Sequence, residues 1–265
     1  MPTVTIEKPK AIILDFMSTC VKTGFIEKCL YRFIKVNGRE IIQQKWDDKH
    51  FKEIVAQVRR QTRKDLEALG TTENSETLPQ VLDKKSPVDA QQDSLYANLV
   101  WMIDHKRETD AHYRLKFAIY EDAYQKKALH THVYQDVARN IRKWKDQGIK
   151  IVLFSHAWIQ TQRLFMNSTN HGELTSCIEG YYDTQTQGSL TNPQSYHDLC
   201  IKHLGVNPNE VIFLTKGTHE GHAARLAGIH SFIVISHNYQ LEKYKKEELE
   251  SFERLGSFDE LVWKE

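Results

Sequence analysis

The sequence predicts an α/β protein, a doubly wound parallel sheet with a helical domain inserted after its first strand. Three observations carry this. Four short apolar runs, Ala11–Leu14, Ile151–Phe154, Val211–Leu214 and Phe232–Ile235, show no polar alternation. That is the pattern of strands buried on both faces. Helical stretches ending in glycine separate the last three runs, giving the β-α-β rhythm of right-handed crossovers. About 135 residues lie between the first two runs, far more than one crossover needs.

Taken in order, the elements justify themselves locally. Inside the long gap, helical patterns cover 26–51, 51–69, 95–107 and 113–128. The stretch Thr71–Ser94 is polar and carries Pro79 and Pro87, which predicts a long loop between helix pairs. Val137, Ile141 and Trp144 recur at helical spacing, and Gly148 stops that helix before Ile151. A helix through Tyr196–Leu204 ends at Gly205, and another around Ala223–Ala227 ends at Gly228. The expected domains are residues 1–24 with 125–265 as the α/β core, and 25–124 as the helical insertion. No internal repeat recurs at 20–50 residues.

Composition narrows the class. The 265 residues are 40% hydrophobic and 27% charged, a globular balance. Lys plus Arg number 36 against 35 Asp plus Glu, a net charge of +1, so nothing favours nucleic acid or a membrane surface as partner. No run is long and apolar enough for a spanning helix, and MPTVTIEKPK lacks the apolar segment of a signal peptide. Cys20, Cys29, Cys177 and Cys200 form no C-x-x-C pair. Reduced thiols are expected, in a cytoplasmic protein to which the nucleus is also open.

In an open α/β sheet, ligands bind beyond the carboxyl ends of the strands. Asp15 follows the first run, Ser155 and His156 the second, and Thr215-Lys-Gly-Thr-His-Glu220 the third. A carboxylate at the first place can serve as nucleophile or metal ligand. A serine at the second can donate to a phosphoryl oxygen. Each also serves as an ordinary cap of the turn that follows.

Together with the motifs around them, these residues resemble the enolase-phosphatases (acireductone synthases) of the haloacid dehalogenase superfamily. Ile-Leu-Asp15 is similar to that family's nucleophile strand, and Trp46, Trp101 and Arg107 to positions of its helical cap. Arg142-Lys-Trp-Lys-Asp-Gln-Gly148 resembles the helix before its second strand. Gly180-Tyr-Tyr-Asp-Thr184 resembles G-x-F-D-T. Phe213-Leu-Thr215, with Glu220 and Ala223-Ala224, resembles F-L-T-D-x-x-x-E-x-x-A-A. The resemblance implies a Rossmann-like, haloacid dehalogenase-like core with a cap domain.

The departures bear on chemistry. The family's D-x-E-G-T-T is here Asp15-Phe16-Met17-Ser18-Thr19-Cys20, so Met17 stands where the acid is expected. S-S-G-S becomes Ser155-His156-Ala157-Trp158. The family lysine falls in a window without Lys or Arg, aligned on Leu190, and the metal-binding aspartate is Lys216. The cap signature L-Q-G-x-x-W becomes Leu115-Lys-Phe-Ala-Ile-Tyr120. Phosphoryl transfer to an aspartate relies on Mg²⁺ to offset anion repulsion. An ammonium near a divalent cation costs several kcal/mol at an effective dielectric of about 20.

The expectation is therefore an enolase-phosphatase-like pseudoenzyme. It has lost phosphatase activity and acts as a binding or regulatory module. Asp15 is then a vestigial nucleophile, and Ser155 and His156 bind phosphate. No cofactor and no metal site are expected. The partner is an unidentified protein or small molecule in the cap/core cleft, made more apolar by Trp158 and Phe117. The alternative is an active Mg²⁺-dependent enolase-phosphatase converting a diketo phosphopentane to acireductone in L-methionine salvage. His219-Glu-Gly-His222 is not H-E-x-x-H, and His130 with His132 reads as solvent-facing. Lys243–Glu248 mixes both signs and reads as a solvated helix face. Lys216 is expected to pair with Asp15 and to lower its pKa.

Overall fold

The structure is a computed structural model and describes residues 3–69, 78–235 and 244–264. It divides into two compact units, residues 1–23 with 130–265 and residues 24–129. The second boundary falls at 129 rather than 124. The turn after the last helix of the insertion bonds back onto that helix, Lys127 N to Tyr124 O and Ala128 N to Ala123 O.

Strands β1 (Val4–Ile6) and β2 (Ala11–Leu14) open the chain. The helical unit then holds α1 (Arg32–Lys45), entered through a π-helical turn at Ile26–Tyr31. It continues with α2 (Lys49–Leu69), α3 (Val88–Asp104) and α4 (Asp110–Gln125). The α/β unit resumes with α5 (Gln135–Asp146), β3 (Lys150–Ser155), α6 (Ile159–Asn167) and β4 (Gly180–Asp183). After these come α7 (Pro193–Asp198), β5 (Val211–Thr215), α8 (Thr218–Leu226) and β6 (His230–Val234). The chain ends with α9 (Lys246–Glu250), β7 (Glu253–Leu255) and β8 (Leu261–Trp263).

Six strands form one parallel sheet in the order β4-β3-β2-β5-β6-β7. The four apolar runs are its four adjacent inner strands, as the absence of alternation predicts. β1 and β8 form a separate parallel pair. Leu14 lies opposite both Leu153 and Leu214, so three central strands finish almost level. The order reverses at β2, with β3 and β4 on one side and β5 to β7 on the other. That reversal is a switch point, where an open α/β sheet leaves a crevice for a ligand.

Both faces of the sheet are sealed by burial. On one, Ala11, Ile13, Val152, Phe154 and Phe213 share a core with Tyr196, Leu199, Ala223 and Ala224 of the flanking helices. Elsewhere in the unit, α5 buries Val137, Ile141 and Trp144. Trp144 stacks on Phe258 at 5.5 Å between ring centroids and lies 6.0 Å from Trp263, which ties the C-terminal segment to the unit. Gly148 follows α5 at φ +76°, a left-handed turn that favours glycine.

In the helical unit, α1 packs on α3 and α2 on α4. The expected loop to Ser94 ends sooner, because α3 starts at Val88 behind Pro87. Gln91 and Gln92 are buried despite their polarity, and Gln91 accepts from Arg59 and donates to the Ser86 carbonyl. Residues 71–77 of that expected loop lie outside the described residues. Buried His112 bridges Thr109 Oγ1 and Asn98 Oδ1, each at 2.7 Å, and burial pushes its pKa down to about 4. No helix among the described residues is long and apolar enough to cross a membrane. All four cysteines are free thiols.

Candidate active site

The site grows from the carboxyl ends of β2, β3 and β5. Asp15 is the first residue past β2, anchored by its N–H to the Leu214 carbonyl at 2.9 Å. Its side chain turns into its own loop. Oδ1 accepts the Phe16 N–H at 2.7 Å and Oδ2 accepts the Thr19 hydroxyl at 2.6 Å. Ser18 adopts φ +65°, and the loop closes through a bridge between Met17 and Val21. Met17 is half-buried and brings only a thioether.

Ser155 ends β3 at 2% exposure, its hydroxyl accepting the Ala157 N–H at 3.3 Å. His156, the next residue, is exposed, and Trp158 stands half-buried at the start of α6. Asp183, opposite Ser155 on β4, is a structural brace. It accepts the N–H groups of Ile159, Gln185 and Thr186 and the Thr186 hydroxyl.

Past β5, Thr215 Oγ1 accepts the Gly217 N–H at 2.9 Å, and Lys216 Nζ donates to Thr23 Oγ1 at 3.4 Å. The Tyr244 hydroxyl donates to the Lys216 carbonyl. Glu220, in the first turn of α8, folds back over Gly217. A Cβ at Gly217 would stand 1.7 Å from Glu220 Oε2, so any larger residue here would displace this carboxylate. Its charge is favourable at a helix N-terminus.

Asp15 retains some accessible surface, yet its pKa is raised to about 6. Burial is the largest cause. The Thr19 and Phe16 hydrogen bonds oppose it, the Glu220 charge adds to it, and the Lys216 ammonium lowers it least of all. The expected lowering by Lys216 is present but outweighed by burial, so the net shift is upward, and no direct Asp15–Lys216 ion pair forms among the described residues. Asp15 takes its hydrogen bonds from Phe16 and Thr19, and the long lysine reaches Thr23 instead. The phenols of Tyr196 and Tyr244 are both raised, first by burial and then by the charges of Asp15 and Glu220.

Leu190 is not brought to this group as a side chain. It is 2% exposed in the core cluster with Phe154, Tyr196 and Phe213, and its carbonyl accepts the Tyr196 hydroxyl at 2.8 Å. His219 is exposed. Among the described residues no three of His, Cys, Asp and Glu converge to hold a metal. Tyr244 corrects the reading of its charged stretch as purely solvated; Lys243 lies outside the described residues. Sequence reasoning had no signal for Tyr244 or Thr23, whose contacts with Lys216 span 28 and 193 residues.

In the helical unit, Lys116 is 6% exposed, ion-paired with Glu108 and placed over the Tyr31 ring at 5.0 Å. Tyr120 is buried, and its hydroxyl lacks a hydrogen-bond partner among the described residues.

A raised carboxylate pKa has a definite sign in stability. The folded state holds the Asp15 proton more tightly than the unfolded chain does. This contribution is complete below pH about 4 and is lost as pH rises through about 6. A shift from 3.8 to about 6 corresponds to at most about 3 kcal/mol. Asp15→Asn is therefore expected to stabilise the protein at pH 7.5 by up to that amount, with the gain fading below pH 4. Denaturant melts across that range test it, and a pH-independent difference would reject the shift.

A parallel sheet with its site at the β2 switch point, interrupted by a helical insertion, defines the haloacid dehalogenase-like class of folds. Solved structures agree. The UTR4 protein of Saccharomyces cerevisiae superposes with a TM-score of 0.69 at 17% identity, covering 95% of this chain and 99% of that one. CbbY of Rhodobacter sphaeroides, in complex with xylulose-1,5-bisphosphate, superposes at 0.55 and 14% identity, covering 96% and 97%. No protein-family model matches the chain.

Within that class, the chain is similar to the enolase-phosphatases over nearly its whole length. Enolase-phosphatase E1 of Danio rerio is 26% identical over 258 residues, 96% of this chain and 95% of its own. That of Xenopus tropicalis is 28% identical over 224 residues, 84% of each.

The fold family implies Mg²⁺, and the residue types at the site depart at one place from what that ion takes. Mg²⁺ demands near-octahedral oxygens, with one or two carboxylates among them. Here Asp15 accepts one hydrogen bond on each oxygen and keeps further lone pairs, while Glu220 lies over Gly217. The residue after Thr215 contributes an ammonium where a carboxylate would be needed.

Proposed function

We propose that this chain is an enolase-phosphatase-like binding protein without Mg²⁺-dependent phosphatase turnover. Its ligand, an anionic small molecule or an acidic protein segment, meets the carboxyl ends of β2, β3 and β5. The single observation carrying this reading is Lys216, which brings an ammonium past the end of β5, where its charge acts on the Asp15 carboxylate in place of a further carboxylate. Transfer of a phosphoryl group to Asp15 brings one anion onto another, and a divalent cation normally offsets that repulsion. A fixed monocation supplies less charge and no open coordination position. Ser155 and His156 are the groups we assign to the ligand's oxygens. Ser155 supplies a buried hydroxyl and His156 an accessible imidazole.

A second reading has its own support, the name enolase-phosphatase E1 carried by relatives that match up to 96% of this chain. On that reading the protein is an Mg²⁺-dependent phosphatase acting on a diketo phosphopentane, with Asp15 as nucleophile and Mg²⁺ as cofactor. Hydrolysis of p-nitrophenyl phosphate with and without Mg²⁺ separates the two. The binding reading expects no metal-dependent turnover. Mg²⁺-dependent turnover abolished by Asp15→Asn would establish the second reading and end the first.

A further inference from the structure

The helical unit carries a cavity that neither functional reading uses. It measures about 330 Å³ and is lined by Trp46, Lys52, Val55, Arg59, Lys84 and Gln91. Its chemistry is two-sided. Trp46 and Val55 offer an apolar wall with a half-buried indole. Lys52, Arg59 and Lys84 bring three cations to the same space. Arg59 is locked in place, its Nε donating to the Leu82 carbonyl at 2.6 Å and its Nη2 to Gln91 Oε1 at 2.5 Å. Lys52 has a carboxylate neighbour outside the lining, exposed Asp47 at 3.0 Å.

A second cavity of about 210 Å³ shares Arg59 as a wall and adds Arg63, Asp83 and Thr62. Thr62 is 1% exposed, and its hydroxyl has no hydrogen-bond partner among the described residues. Three cations at one hollow attract an anion, although Asp47 beside Lys52 and Asp83 near Arg59 offset part of their charge. An aromatic face beside them suits a ligand with a flat ring.

We propose that this hollow binds a nucleoside phosphate, its base against Trp46 and Val55 and its phosphates against Lys52, Arg59 and Lys84. The first cavity lies within the range of small-molecule sites, about 300–1,000 Å³. The second, across Arg59, places Arg63 beside the Asp83 carboxylate and is not assigned to a phosphate. Recognition requires both halves, ring and charge, so neither half alone binds comparably.

Calorimetric titration of the full chain with ADP tests this, with adenosine and inorganic pyrophosphate as the two half-ligands. ADP is expected to bind at least roughly tenfold more tightly than either half. Lys84→Glu reverses a charge on an exposed loop and should weaken ADP by roughly tenfold or more. Trp46→Ala should do likewise, while Trp46→Phe, which keeps a ring, should retain most of the affinity. Asp15→Asn, whatever it does to stability, should leave the ADP affinity as it is, which keeps this site distinct from the one at β2. A flat ADP titration, affinity indifferent to Lys84→Glu, or pyrophosphate binding as tightly as ADP would overturn the proposal. So would loss of ADP binding in Asp15→Asn.

Discussion

Leu190→Lys is expected to lower stability by about 3–5 kcal/mol, the sum of lost packing and a charge placed in an apolar core. Leu190 is 2% exposed among Phe154, Tyr196 and Phe213, whose rings interlock at centroid distances of 5.3 and 5.2 Å. An ammonium there finds aromatic walls, and the residue's own carbonyl already accepts the Tyr196 hydroxyl. At about 2–4 °C per kcal/mol for a chain of this size, the thermal midpoint should fall by roughly 10 °C. Ser189→Lys, one residue earlier and exposed, should cost no more than about 0.5 kcal/mol. Differential scanning calorimetry of the two variants decides the matter. Equal midpoints would mean that position 190 opens onto solvent or onto the site. The consequence for function is direct, because a lysine restored by simple alignment would damage the core before it assisted any ligand.

That contrast shows where the sequence was legible. Strands buried on both faces announce themselves by unbroken apolar runs, and β2, β3, β5 and β6 were read from that alone. β4 offers no such run, because Gly180-Tyr-Tyr-Asp183 is four residues long, opens on glycine and ends on a carboxylate. β1, β7 and β8 have three residues each, too few to carry a pattern. The early start of α3 is not legible because Gln91 and Gln92 read as loop residues, whereas both are buried and the Gln91 amide is satisfied inside the fold. In the site, residue types were legible and their directions were not. The sequence places an ammonium at 216 beside Asp15 in the sheet. It cannot tell that the long side chain reaches Thr23, or that burial outweighs its charge at Asp15. Glu220 was legible as a motif residue. Its position over Gly217 depends on the first turn of α8, a matter of rotamer and helix geometry rather than of pattern.

Lys216→Asp should make the stability of the protein depend on Mg²⁺, whereas the natural chain should be indifferent to it. The substitution gathers three carboxylates at the ends of β2 and β5, with Asp15 and Glu220 already present. Without metal, mutual repulsion should destabilise the variant and push the Asp15 pKa above its present value of about 6, because the cation that lowers it is gone. With metal, the same carboxylates become oxygen ligands, and binding stabilises the fold by RT ln(1 + [Mg²⁺]/Kd). That amounts to about 2.7 kcal/mol at a hundredfold excess over Kd. Adding Met17→Glu should enlarge the response by more than the two single changes predict, since neighbouring charges around one ion act together. Thermal melts with and without Mg²⁺ supply the readout, and they require no substrate and no turnover. If the natural chain is itself stabilised by Mg²⁺ as strongly as the variant, Lys216 does not replace the metal, and the phosphatase reading gains the ground. If neither responds, Asp15 and Glu220 are held too firmly by Thr19 and by the start of α8 to turn toward an ion. The loss of metal chemistry would then lie in the fixed geometry of both carboxylates rather than in the sign of one residue.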